Sequence, residues 1–179
     1  MQKFGGAVIR MQQVSNNVFE ENKDILSRVT FLVGDEYSAL NISNIPSRVP
    51  FDDTVVEFLN SISQKIRNVK NIREYPDVVT WGFWIRRSSI LALKERFINH
   101  KEHIRLGRGC VFHIAPSNVP VNYAYSLVVG LLTGNTNIVR IPSKDFPQVD
   151  IINNLIKETL MEFEELRPYI CLVRYGRDK

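Results

Sequence analysis

The chain has 179 residues, an apolar share of 44%, a charged share of 23% and a formal net charge of +4, which is enough to bury one good core in a globular composition. Its basic residues are spread rather than clustered, which argues against nucleic acid as a partner, and no apolar run approaches the roughly 20 residues that span a bilayer. Two cysteines are too few for a disulfide framework and three histidines, at 100, 103 and 113, make no metal spacing with them, so no metal, no membrane contact and a cytoplasmic location are expected.

Residues 6–10 and 29–33 are strand candidates for a small sheet or hairpin-like lead-in, and the prolines at 46 and 50 break any regular element after them. Thr54 and Glu57 stand at capping-box spacing, and Val55, Leu59, Ile62, Ile66 and Val69 recur on one face. The spacing predicts a helix to about Arg73. Tyr75-Pro76-Asp77 opens a second helical stretch, whose Trp81, Phe83 and Trp84 are best explained by packing. Ser88-Ser89 then caps a third helix through Asn99, with Ile90, Leu93 and Phe97 at helical spacing. A polar, glycine-ended stretch, 101–108, divides this mainly helical lead region, 1–100, from a second region, 101–179.

The second region opens with a short apolar run, 110–115, that reads as a core strand stopped by Pro116. Pro116-Ser117-Asn118-Val119-Pro120 is a turn, because each proline fixes its own φ and pushes the preceding residue towards extended backbone. Residues 121–133 are apolar on nearly every side and read as a buried helix, stopped by Gly134-Asn135. A strand over 137–141 follows and ends at Pro142-Ser143. Val149, Ile152, Leu155, Ile156, Leu160 and Phe163 form the stripe of an amphipathic helix that Pro168 ends, and 169–175 is a third strand. The expected fold class is α/β: a partial Rossmann-like βαβαβ nucleotide-binding unit preceded by a mainly helical amino-terminal region. Its crossovers should be right-handed, with a ligand crevice at the carboxyl ends of the strands, where both polar turns lie. Cys110 and Cys171 are expected as buried strand thiols and the third strand as an exposed edge. His113, in mid-strand, reads as a satisfied, partly buried histidine rather than an acid or base. By itself this pattern specifies an α/β domain and no ligand.

The residues in that pattern carry more. Pro116-x-Asn118-x-Pro120, the apolar helix, Gly134-Asn135-Thr136 and Pro142-Ser143 resemble the aldehyde dehydrogenase superfamily, with its proline-asparagine-proline turn, "AGN" helix end and lysine-proline-serine-glutamate strand end. The runs VFHIAPSNVPVNYAYSLVVGLLTGN and VRIPSKDFPQ are most similar to the acyl-CoA reductases typified by the fatty acid reductase of bacterial bioluminescence. The likeness is close over 104–150 and weak before it. An ordered motif of this length is more specific than a lone glycine fingerprint.

This resemblance implies reduction of an acyl thioester, such as an acyl-CoA, to an aldehyde: a cysteine thiolate attacks the acyl carbon, coenzyme A leaves, and a nicotinamide hydride follows. It implies that the chain is the amino-terminal part of a longer protein and inactive alone, because neither Cys110 nor Cys171 matches the family's nucleophile. The superfamily forms dimers or tetramers, so a homo-oligomer is expected of the longer protein. Asn118 would stabilise the oxyanion of the tetrahedral acyl carbon; the alternative is that it caps the helix beginning at Pro120. Pro116, Ser117, Ser143 and Lys144 would line the cofactor site. Where the family has a glutamate that accepts ribose hydroxyls, this chain has Lys144, with Arg140 one place before the usual lysine. A lysine there attracts a 2′-phosphate, so NADPH is the expected cofactor; an ordinary exposed turn lysine is the alternative. An aldehyde-oxidising or acyl-phosphate-reducing relative, and a non-catalytic binding module, remain open as other readings.

Overall fold

Of the four strands among the described residues, three are consecutive in the chain and parallel: β2 (Cys110–Ile114), β3 (Thr136–Arg140) and β4 (Ile170–Arg174). In this computed structural model, which describes residues 26–98, 104–116 and 118–176, the sheet order is β1-β4-β3-β2, with β1 (Thr30–Val33) antiparallel to β4. The strand expected over 6–10 lies outside the described residues. Around the sheet stand α1 (Glu36–Asn41), α2 (Asp53–Ile66), α3 (Pro76–Trp84), α4 (Arg87–Ile98), α5 (Asn122–Leu132) and α6 (Pro147–Thr159). The architecture is α/β, with the parallel βαβαβ connectivity of a partial Rossmann-like unit behind a mainly helical lead.

Alternation along the strands separates two faces. Val139, Ile170 and Leu172 join the main core with Leu127, Leu131, Ile152 and Ile156 of the crossover helices α5 and α6. Phe58, Leu59 and Ile62 of α2, with Trp81 of α3, close that core from outside. Burying each such side chain contributes about 1.5–3 kcal/mol before the entropy of ordering it. On the other face Cys171 and Val173 pack only with Ile42 and a few half-buried neighbours.

Several local expectations change for identifiable reasons. Helix α2 is capped by Asp52, whose carboxylate accepts from Thr54 N at 3.0 Å, rather than by the Thr54–Glu57 box. It stops at Ile66, since Asn71 takes left-handed backbone (φ 57°) and a 3-10 turn over Ile72–Glu74 brings Ile72 and Tyr75 back onto the core. Ser88 and Ser89 lie inside α4 rather than before it; Ser89 Oγ accepts from Arg86 Nε at 3.0 Å and donates to Phe83 O at 3.3 Å. Helix α6 ends at Thr159, where Arg167 Nε donates to Leu160 O at 3.3 Å, so Pro168 sits within a 3-10 segment, Glu164–Tyr169, instead of ending the helix.

The two ends of the sheet also differ from expectation. Strand β4 is covered by β1, so the third strand is no edge. The open edge of the parallel unit is β2, where Phe112 and Ile114 are 50% and 69% exposed. Cys110, on the same strand face, is exposed rather than buried.

Candidate functional site

Parallel register brings the carboxyl ends of β2, β3 and β4 to one edge: Ile114 pairs with Arg140, and Arg140 with Val173. Both turns singled out by the sequence leave from this edge. Pro116 and Asn118 follow β2, and Ser143 and Lys144 follow β3. Ser117 lies outside the described residues.

Asn118 is exposed and has no hydrogen-bond partner among the described residues. It does not cap α5: the residue before that helix is Val121, and no side chain accepts from the first turn. The helix is instead fastened by its apolar length and by Tyr123, whose hydroxyl donates to Asn153 Oδ1 of α6 at 2.8 Å. Burial holds the Tyr123 phenol well above its ordinary range, so it stays a donor. At the other end of α5, Gly134 takes φ 82° and its carbonyl accepts from Arg48 N at 2.9 Å. The buried side chain of Asn135 accepts from Arg108 N at 2.6 Å and donates to Thr133 Oγ1 at 2.8 Å. The glycine-asparagine pair therefore locks the helix end to the start of β3.

Behind the first turn, His113 Nε2 lies 3.0 Å from Asn137 Oδ1. Asn137 Nδ2 is committed to Asn135 O at 2.8 Å, so Oδ1 is the acceptor and His113 donates through Nε2. This is the satisfied, half-buried histidine that the sequence predicts, and it is part of the strand pairing. Gly130 makes room for it, since a Cβ there would run into Asn137 Oδ1.

The second turn is cationic. Pro142 is buried while Ser143 and Lys144 are exposed; Lys144 Nζ lies 5.0 Å above the Phe146 ring and no carboxylate pairs with it among the described residues. Arg174, at the end of β4, donates to Asp145 Oδ1 at 2.7 Å and pins the loop. Arg140 leans over Tyr175, its guanidinium carbon 4.8 Å from the ring centre. Asp145, Arg174 and Tyr175 were missed in the sequence; aligning the ends of the three predicted strands would have found the last two.

Among the described residues no cysteine thiolate stands beside these turns. Desolvation pushes the Cys171 thiol up to about 12 and also raises that of Cys110, so both stay protonated at neutral pH. Of the aromatics of α3 that were expected to pack, Trp81 is buried and Trp84 meets Tyr125 at 5.0 Å, whereas Phe83 is 59% exposed with the Arg86 guanidinium over its ring. A cavity of about 360 Å³ lined by Phe31, Val33, Lys157 and Leu160 lies where β1 ends beside the start of β4, away from both turns. Among the described residues no group of acidic, histidine or cysteine side chains could hold a metal, and no helix is long and apolar enough to cross a membrane.

No curated protein and no solved structure matches the chain. A family model described as acyl-CoA reductase (LuxC) matches residues 16–179. That match takes in β1 and the helical lead as well as the region where the sequence motifs lie, and with it the chain belongs to the acyl-CoA reductase (LuxC) family.

Proposed function

We propose that the chain contributes the nucleotide-binding unit and the oxyanion donor of an enzyme that reduces an acyl thioester, such as an acyl-CoA, to an aldehyde with NADPH. The observation that carries this reading is the parallel β2-β3-β4 register, which places an uncommitted Asn118 amide and an unpaired Lys144 on one edge of the sheet. When bound, NADPH supplies the hydride. The residues present fit it: among the described residues neither Lys144 nor Arg140 pairs with a carboxylate, so two cations at this edge are left for an anionic phosphate.

Asn118 then acts through its Nδ2 hydrogens, donating to the acyl oxygen as the carbonyl carbon becomes tetrahedral. Pro116 and Pro120 stiffen the turn, so that little ordering is left for the moment of reaction. Lys144 attracts the 2′-phosphate, and the Arg174–Asp145 pair holds its loop. Pro116, Ser117 and Ser143 line the remainder of the nucleotide site. The nucleophile is neither Cys110 nor Cys171, because a protonated strand thiol is a poor one, so these residues alone should turn over no thioester. Two free thiols fit a reducing, cytoplasmic compartment.

Titration of the chain with NADPH and NADH, read by the fluorescence of the half-buried Trp84, tests the reading. Native protein should prefer NADPH. Lys144→Glu should weaken NADPH by about 10- to 100-fold, the worth of one charge-assisted contact, and improve NADH. A folded chain that binds neither nucleotide would remove the cofactor assignment.

A further inference from the structure

We propose that Arg140 is a specificity-determining residue, holding the 2′-phosphate of the adenine nucleotide at the carboxyl edge of the sheet while Tyr175 holds its guanidinium. The inference rests on the nucleotide reading above and adds a second cation, of different geometry, to Lys144. Arg140 is the last residue of β3, at the edge where the crevice opens. Its pairing with Ile114 and Val173 puts it on the sheet face opposite α5 and α6, together with the exposed Ile114. On that face Cys171 and Val173 pack with Ile42, which follows α1, and Ile138 and Tyr175 border the cluster.

The guanidinium is held but not satisfied. It lies 4.8 Å over the Tyr175 ring, and Nη2 makes only a long contact of 3.5 Å with Tyr175 O. Nε is buried and has no acceptor, as in Arg48 and Arg174, but those two arginines each pair with a carboxylate through another nitrogen. No carboxylate pairs with Arg140 among the described residues, and the acidic group in the neighbouring loop, Asp145, is already taken by Arg174. An arginine whose guanidinium lies over a ring and meets no carboxylate is arranged for a bidentate anion. Lys144 is an exposed point charge without that geometry. The anion is therefore expected to rest on Arg140, with Lys144 adding attraction from the solvent side.

The test is calorimetric titration of the 179-residue chain with 2′,5′-ADP and with 5′-AMP, which differ only by the 2′-phosphate. Native protein should bind 2′,5′-ADP at least tenfold tighter. Arg140→Met should abolish that difference while leaving 5′-AMP within about threefold, and Arg140→Lys should recover part of it by restoring charge without the fork. Thermal melting of each variant shows whether it is folded; if the Met variant is not, the Lys variant decides. Full retention of the 2′,5′-ADP preference in either folded variant, with loss in Lys144→Glu, would overturn the role of Arg140 and leave the nucleotide reading standing. Equal weakening of both ligands would make Arg140 a general nucleotide contact and also overturn it. Failure of native protein to bind either ligand would end both readings together.

Discussion

Asn118 faces two demands that stability and activity measurements separate. A capping asparagine lost to alanine costs about 1 kcal/mol, whereas an exposed, unbonded one costs nothing. Because no side chain caps α5, Asn118→Ala should leave the melting temperature of the chain unchanged while lowering kcat of the complete enzyme by about 10²- to 10³-fold, the usual loss for one oxyanion donor. A drop in melting temperature would return the residue to a structural role. The cysteines make a second contrast at this scale. Cys110 is exposed and Cys171 buried, so a mild excess of a thiol reagent such as iodoacetamide should modify Cys110 alone in native protein and both after unfolding. The Cys171 thiol is raised from about 9 to about 12 in the fold. Its neutral form therefore stabilises the protein fully below pH 9, and that contribution is lost as pH rises from about 9 towards 12. Cys171→Val should flatten part of the alkaline fall in melting temperature.

At the scale of elements, what could be read depended on whether an element is defined by its own residues or by its neighbours. The three parallel strands, the buried helix α5 and the face of α6 were legible, because prolines, glycines and apolar spacing bound them locally. The cap of α2 was not, since Asp52 and Thr54 are equally good candidates until the backbone shows which carboxylate or hydroxyl meets the first N–H groups. The exposure of β2 was not legible either: an apolar strand reads the same at an edge as in the middle. Helix α5 offers the sharpest test here. Gly130 lies against the His113–Asn137 pair, where a methyl group would meet Asn137 Oδ1. Alanine gains about 1 kcal/mol of helix propensity, but overpacking of this kind costs about 1–3 kcal/mol and also pushes at the β2–β3 pairing. Gly130→Ala should be net destabilising by chemical denaturation, and an unchanged or higher midpoint would show that α5 can shift away from the sheet.

For the whole molecule, the pairing of β1 with β4 was the least legible feature, since it joins residues about 140 positions apart and neither strand carries a mark of its partner. It leaves the sheet covered on one side and bare on the other, where Phe112 and Ile114 stand half-exposed or more beside unpaired backbone groups. Such edges associate with other strands. The chain should therefore show concentration-dependent self-association by sedimentation, and Phe112→Lys should reduce it without lowering the melting temperature. Equal association of the variant would place the contact elsewhere.

The asymmetry of the sheet also gives the molecule a direction. Both crossovers lead away from β2 in the same sense, and β1 already pairs with β4, so a strand can extend the parallel unit itself only beside β2. The incoming strand would put Asn118 in the interior of a wider sheet, at the point where the chain's path reverses. Such reversals are where open α/β sheets part to admit ligands. A residue that now stands at a rim would then lie at the floor of a cleft, and the oxyanion donor proposed here would become shielded from water through assembly, with no movement of its own turn.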